Sequence, residues 1–111
     1  MLSLDLIVAI LATHYVADFI LQPPIFATNK SKHLWALAGH VAIYTAVLGI
    51  AAAYLGLGWQ WAVGNGMMHF AVDFFSSKVC SYLYSRKNIY GFFVVLGLDQ
   101  LLHQMCLLCS I

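Results

Sequence analysis

Seven histidine and aspartate side chains interrupt the apolar stretches of this sequence, and they are the residues best suited to carry chemistry. They are His14, Asp18, His40, His69, Asp73, Asp99 and His103. Neutral imidazole and carboxylate groups together bind divalent transition metals, and this set suits Zn²⁺, Mn²⁺ or Fe²⁺ without choosing among them. The residue types therefore predict a metal site that holds one or two ions.

Six of the seven residues form three pairs whose members are four positions apart. The pairs are His14–Asp18, His69–Asp73 and Asp99–His103. Side chains with this separation share one face of an α-helix. The histidine comes first in two pairs and the aspartate in the third, so antiparallel helices would bring all three carboxylates to one depth. The imidazoles of the three pairs would lie about 6 Å further along the helix axes, one helical turn away. His40 would lie close to the level of the carboxylates.

The composition indicates that water is not the main solvent of the elements that carry these residues. The chain of 111 residues is 63% hydrophobic and only 8% charged, whereas about a quarter of a soluble domain is charged. Its acidic residues are all aspartates, so there is little exposed helix surface of the kind that glutamate usually covers. A net charge of +1 without a basic cluster argues against a nucleic-acid partner.

Four apolar stretches have the length of about 20 residues that a membrane-spanning helix needs. They cover approximately residues 2–21, 33–55, 59–80 and 90–110. Pro23 and Pro24 end the first, and Gly56 and Gly58 follow the second. Backbone groups in lipid must hydrogen-bond within their own segment, and none of the stretches alternates like a barrel strand. The sequence therefore predicts an all-α membrane protein, a four-transmembrane-helix antiparallel bundle that forms one domain over residues 1–111.

The basic residues predict the orientation of this bundle. Lys30 and Lys32 lie between the first two stretches, and Lys78, Arg86 and Lys87 lie at or after the end of the third. The positive-inside rule places both basic connections in the cytoplasm and both termini outside. No basic residue precedes the first stretch, so a cleavable signal peptide is not expected. The expected location is the bacterial inner membrane, with several spans.

Buried carboxylates need partners. Three unpaired aspartates at membrane depth would cost on the order of 8–10 kcal/mol. A bound cation would balance them, and the alternative is direct histidine–aspartate pairing between helices. Gln22, Gln100 and Gln104 are predicted to donate hydrogen bonds to the cluster. Lys78 is expected either to reach the headgroups or to bind an anionic group. Cys106 and Cys109 are interpreted as apolar filling, with redox or metal chemistry as the alternative.

The same residues resemble those of a known family. The elements are His14-Tyr-Val-Ala-Asp18-Phe-Ile-Leu-Gln22, Asn29-Lys30, His40, His69-Phe-Ala-Val-Asp73 and Leu98-Asp99-Gln100-Leu-Leu-His103. In this pattern the chain is similar to the DUF3307 family of small bacterial and phage membrane proteins, which has no established function. The resemblance extends from about residue 11 to residue 103. It implies that the cluster is a family feature, and it supplies no reaction.

Three functions are compatible with these features. The first is a metal-dependent hydrolase of a membrane lipid or lipid-linked ester, in which Asp18, Asp73 and Asp99 are the catalytic carboxylates and one of them stays free as general base. The second is transport of a metal ion or proton through a homo-oligomer. The third is a non-catalytic membrane partner protein. We favour the hydrolase, because a metal site at this depth would meet lipid substrates, and lipid or another copy of the chain would cover the apolar exterior.

Overall fold

The computed structural model describes residues 2–111, which fold into five helices joined by short connections. The helices are α1 (Leu4–Tyr15), α2 (Pro24–Asn29), α3 (Leu34–Leu55), α4 (Trp59–Ser85) and α5 (Ile89–Cys109). A π-helical segment, Val16–Ile20, continues α1. Residues 2–111 contain no β-strand, and the predicted all-α class is confirmed.

Local sequence signals explain where these helices begin and end. The Ser3 hydroxyl accepts a hydrogen bond from the Leu6 N–H at 3.1 Å and caps the start of α1. Gly56 ends α3 with a φ of 72°, the left-handed conformation that glycine adopts without strain. The Asn88 side chain accepts from the Gly91 N–H at 2.9 Å and caps the start of α5. The connections from α3 to α4 and from α4 to α5 are each three residues long.

Two of the described helices have the length and composition of membrane spans. They are α3 and α5, with mean hydropathies of 1.8 and 1.6 over their most apolar windows. The other two predicted spans differ for identifiable reasons. The regular part of α1 ends at Tyr15, where the π-helical segment takes over. Helix α4 runs on past Cys80 to Ser85 and carries polar side chains along its length. Spans over residues 2–21 and 59–80 therefore stay predictions.

An apolar core fills one end of the bundle. Its buried members are Ile10, Ala17, Tyr44, Leu48, Ala52, Trp61, Ala62 and Leu107. They come from α1 and its π-helical continuation, α3, the start of α4 and the end of α5, so α1 and α4 run antiparallel to α3 and α5. Helix α4 packs along both α3 and α5, and α2 lies on α3 at the opposite end. The functional side chains lie between this core and α2.

Gly66 allows α3 and α4 to approach closely in the middle of the bundle. A Cβ atom at this position would overlap the Thr45 hydroxyl, which is held in place by donating to the Val41 carbonyl oxygen at 2.8 Å. A Cβ atom at Gly64, also on α4, would meet no other atom of residues 2–111 within 4 Å. The close contact between α3 and α4 therefore depends on Gly66 and not on Gly64.

This difference predicts a stability effect. Gly66→Ala should destabilise the protein relative to Gly64→Ala by about 1–3 kcal/mol, the usual effect of overpacking. Both substitutions raise helix propensity by about 1 kcal/mol, so the comparison isolates the steric term. Thermal unfolding of the detergent-purified variants measures it. Equal melting temperatures for the two variants would contradict the close approach.

Candidate metal centre

Four potential ligand atoms converge where the π-helical segment meets α3 and α4. The His40 Nε2 atom lies 3.0 Å from Asp18 Oδ1 and 3.4 Å from Asp73 Oδ2. The His69 Nε2 atom lies 3.4 Å and 3.2 Å from the same two oxygens. The two nitrogens are 2.9 Å apart. Ligand atoms at tetrahedral positions, with bonds of about 2.0–2.1 Å, are separated by roughly 3.3 Å, so this four-atom centre has the dimensions of a zinc-type site.

The chemistry of the four atoms also suits a cation. Carboxylate oxygens only accept hydrogen bonds, and each neutral imidazole carries a single ring proton. Ordinary hydrogen bonds therefore satisfy the crowded atoms of the centre only in part, whereas one divalent ion would satisfy all four. Stacking orients the His69 ring, which lies 3.9 Å from the Tyr44 ring and 4.0 Å from the His103 ring between centroids. The Nδ1 atoms of His40 and His69 are buried without a hydrogen-bond partner in the described chain.

A second group of ligands adjoins the four-atom centre. The buried His103 has no hydrogen-bond partner on either ring nitrogen within residues 2–111. Its Nε2 atom lies 3.7 Å from Asp73 Oδ1, and its Nδ1 atom lies 3.4 Å from Asp99 Oδ2. Asp73 therefore directs one carboxylate oxygen toward each group. A buried imidazole without a partner is unfavourable, and a second ion between Asp73, Asp99 and His103 would supply one.

Gln100 connects two of the carboxylates to His14. Its amide nitrogen donates to Asp18 Oδ2 at 3.1 Å and to Asp99 Oδ2 at 2.9 Å. Its amide oxygen must then accept from His14 Nε2, 2.8 Å away. With its proton on Nε2, the His14 ring accepts from the Tyr44 hydroxyl at Nδ1, at 3.0 Å. Both nitrogens of His14 are thus used in hydrogen bonds, although Nε2 also lies 3.7 Å from Asp18 Oδ2.

The π-helical segment positions Asp18. The Leu21 N–H donates to the Val16 carbonyl oxygen at 2.9 Å, five residues back along the chain. This wider turn shifts the residues that follow it relative to a regular α-helix, and π-helical turns occur frequently at functional sites. Gln22 donates to the main-chain carbonyl oxygen of Asp18 at 3.2 Å and not to its carboxylate. Gln22 therefore supports the backbone of the segment that carries Asp18.

The structure brings all seven predicted histidines and aspartates into one buried cluster, in which each residue is at most 5% exposed. They are His14, Asp18, His40, His69, Asp73, Asp99 and His103. The predicted glutamines differ from one another. Gln100 and Gln22 make the bonds described above, whereas Gln104 is half-buried and makes no side-chain hydrogen bond within the described chain.

The two lysines near the cluster have different partners. Lys78 donates to the Ser31 carbonyl oxygen at 3.1 Å and lies over the Phe74 ring, so the structure directs it away from the cluster. Lys30, from the connection after α2, lies with its Nζ atom 3.1 Å from Asp73 Oδ2. The cation that reaches the carboxylates is therefore Lys30.

Sequence reasoning did not assign Lys30, Tyr44 or Ser76 to the site. Tyr44 follows His40 by four residues, and Ser76 follows Asp73 by three, so helical spacing carried a signal for both. The Ser76 hydroxyl donates to the Asp99 carboxylate. No periodic signal marked Lys30, because it lies in an irregular connection whose path depends on how α2 packs.

A cavity of about 370 Å³ leads to the cluster from the end of the bundle that carries α2. Most of its lining residues are polar, and it is called here the polar cavity. Asp73 and Asp99 lie at its inner end. Other lining residues include Gln22, Lys30, Ser76, Ser77, Tyr84 and Phe92. At the opposite end, the interior is filled by the apolar core that contains Ile10, Leu48 and Leu107. The cavity therefore approaches the carboxylates from the α2 end.

Comparison with known proteins gives a family match without a known activity. The family model described as "Protein of unknown function (DUF3307)" matches residues 6–111. This range includes every residue of the cluster. No curated protein and no solved structure matches the chain.

The four-atom centre predicts stoichiometric metal binding. We expect purified protein to bind one or two equivalents of Zn²⁺ or Mn²⁺ and His69→Ala to lose binding by more than the roughly 10–100-fold that loss of an outer hydrogen-bond partner causes. His33→Ala is the matched control, because His33 is exposed and stacks on Trp35 away from the cluster. Metal analysis and titration measure the outcome. A His69→Ala variant that binds like wild type would contradict the site.

The hydrogen bonds of Gln100 predict that two substitutions on α5 differ in their effect on the stability of the protein. Gln100→Leu leaves two carboxylate oxygens and one imidazole N–H without partners, and each buried unsatisfied group costs about 1–3 kcal/mol. Gln104→Leu, on the same helix, removes no side-chain hydrogen bond within residues 2–111 and should change stability little. Thermal unfolding of metal-free protein compares the two. A melting temperature for Gln100→Leu as high as that for Gln104→Leu would contradict the network.

Proposed function

The chain belongs to the DUF3307 family, whose function is unknown, and we propose that it is a four-span membrane protein that uses a divalent transition metal to hydrolyse an ester of a membrane lipid or lipid-linked molecule. One observation carries this proposal. The polar cavity reaches the carboxylates of the cluster from the α2 end, and apolar side chains fill the interior beyond them. A pocket that ends at potential metal ligands is the arrangement of a reaction site.

The distribution of side chains supports the membrane placement. Within residues 2–111, nine polar or charged residues are buried inside the bundle, among them three aspartates and four histidines. Large apolar side chains are exposed on the outside, including Leu4, Ile50, Met67, Phe75 and Phe93. An apolar exterior around a polar interior is favourable in lipid and unfavourable in water. We place all four long helical segments across the bacterial inner membrane, with the basic α2 end in the cytoplasm and both termini outside.

We assign the metal to the four-atom centre of Asp18, His40, His69 and Asp73. A divalent ion held there would supply Lewis-acid chemistry, which polarises an ester group and lowers the pKa of water. Asp18 and Asp73 also bring negative charge that the ion would balance at membrane depth. Gln100 orients Asp18 from the far side by donating to its second oxygen. In the proposed reaction the metal occupies this centre alone, which leaves Asp99, a member of the second group of ligands, free.

Asp99 is the carboxylate best placed to act as general base. It lies outside the four-atom centre and lines the polar cavity, so a water molecule entering from the α2 end reaches it. Ser76 and Gln100 each donate a hydrogen bond to it and hold the carboxylate in place. In this role Asp99 accepts a proton from the attacking water and returns it to the leaving group.

Transport is the less favoured function. A pathway through one copy of the chain would have to continue past the cluster toward the ends of α1 and α5 that lie outside. Ile10, Leu48 and Leu107, each fully buried, occupy that interior. A route between copies in an oligomer would bypass them but would also bypass the cluster. A non-catalytic partner role would leave the cavity at the cluster without a use.

The assignment of Asp99 predicts a loss of activity without a loss of metal. Asp99→Asn should retain the metal of the four-atom centre and lower the hydrolysis rate by about 10²–10⁴-fold, the usual contribution of a general base. The control is Asp5→Asn, an exposed aspartate in the first turn of α1. Metal-loaded protein in vesicles of phosphatidylethanolamine and phosphatidylglycerol is assayed for released fatty acid and phosphate.

Two results would overturn parts of this assignment. Unchanged hydrolysis by Asp99→Asn would exclude it as the general base. Metal-loaded wild type that releases neither product, but carries metal ions or protons across the same vesicles, would replace hydrolysis with transport.

A further inference from the structure

An apolar groove of about 470 Å³ lies between α4 and α5 on the outer surface of the bundle. Its apolar lining consists of Ala71, Val72, Phe75, Val79, Val95, Leu98 and Leu102. Phe75 is 68% exposed and Leu98 is 52% exposed, so the groove opens to the surroundings of the bundle. In the proposed membrane placement those surroundings are acyl chains, and the groove has the chemistry to hold one of them.

The groove adjoins the polar cavity. Ser76 and Asp99 line both spaces, and the hydrogen bond between them forms the boundary. Asp99 is only 5% exposed. A surface groove of apolar side chains thus lies next to a buried aspartate of the metal cluster. One amphipathic molecule would occupy both spaces if it displaced the hydrogen bond between Ser76 and Asp99, with its apolar part in the groove and its polar part in the cavity.

The polar cavity offers groups that bind an anion. Lys30 contributes an ammonium group, and its side chain is 21% exposed although it pairs with Asp73. Ser77 and Ser81 also line the space with hydroxyl groups, whereas the Thr28 hydroxyl already donates to the Pro24 carbonyl oxygen. An ammonium group beside hydroxyl donors suits a phosphate, which accepts several charge-assisted hydrogen bonds.

We propose that the groove and the polar cavity together bind one anionic phospholipid, with an acyl chain between α4 and α5 and the phosphate beside Lys30. This deepens the proposed function, on whose membrane placement it rests, by naming the substrate class of the site and its lateral route of entry. An acyl chain gains little by leaving lipid for a groove of equal apolarity. Lys30 and the hydroxyl groups therefore provide the selectivity, and the groove determines whether the lipid fits.

Native mass spectrometry of the detergent-purified full chain tests this directly. The probes are ether-linked phosphatidylglycerol, the corresponding dialkylglycerol without phosphate, and glycerol phosphate without chains. Wild type should bind one phosphatidylglycerol at least about tenfold more tightly than either fragment, the worth of one charge-assisted hydrogen bond. Equal binding of phosphatidylglycerol and dialkylglycerol, or equal binding of phosphatidylglycerol and glycerol phosphate, would overturn the proposal.

Two pairs of variants separate the groove from the phosphate site. Val79→Trp fills the groove and should weaken phosphatidylglycerol binding about tenfold or more, whereas Val94→Trp, an exposed position of α5 outside the groove lining, should not. Lys30→Gln should abolish the preference for the phosphate-bearing lipid, whereas Lys32→Gln, in the same connection, should preserve it. Wild-type binding by Val79→Trp or by Lys30→Gln would contradict the proposal.

A failure of lipid binding can be told apart from a failure of hydrolysis, because the ether-linked probes measure binding and not turnover. Metal content is measured in every variant, since Lys30 lies beside Asp73. Selective lipid binding without any hydrolysis would uphold the lipid site and overturn the hydrolase. Hydrolysis without selective binding in the groove would uphold the hydrolase and overturn this lipid site.

Discussion

The burial of three carboxylates inside an apolar helical bundle is the constraint on which the rest of the structure depends. A buried carboxylate is tolerated only when its oxygens have partners, and here each aspartate has several. Asp18 faces His40 and Gln100, Asp73 faces Lys30 and both histidines of the four-atom centre, and Asp99 accepts from Gln100. These partners come from the connection after α2 and from α3, α4 and α5. Satisfying the carboxylates therefore ties the long elements of the fold together.

The same requirement explains several local features that helix propensity does not. The π-helical segment places Asp18 in the bundle, and Gln22 supports its backbone. Gly66 lets α3 approach α4 closely enough for histidines on both helices to meet. Tyr44 packs against one imidazole and hydrogen-bonds another. Bonds of this kind also require a single arrangement, because a shift of one residue along any helix would leave charged groups unpaired.

The cluster is closed off at one end of the bundle and accessible from the other, and this difference is relevant to the proposed chemistry. Apolar side chains close the end formed by the beginnings of α1 and α4 and the ends of α3 and α5. The α2 end is polar and hollow, and the groove between α4 and α5 meets that hollow at Asp99. A site with a closed floor, a polar entrance and an adjoining apolar groove suits a substrate that is partly lipid.

The sequence by itself determined the helical class, and it also indicated which residues would share a helix face. Spacing of four residues is a local property of the α-helix, and the reversed order of the Asp99–His103 pair predicted that the three carboxylates lie at one depth. Only the tertiary structure decided that Lys30 and not Lys78 reaches Asp73, and that His14 bonds Tyr44 and Gln100. These choices depend on contacts between residues far apart in the chain and on the packing of an irregular connection, and no periodic pattern in the sequence records them.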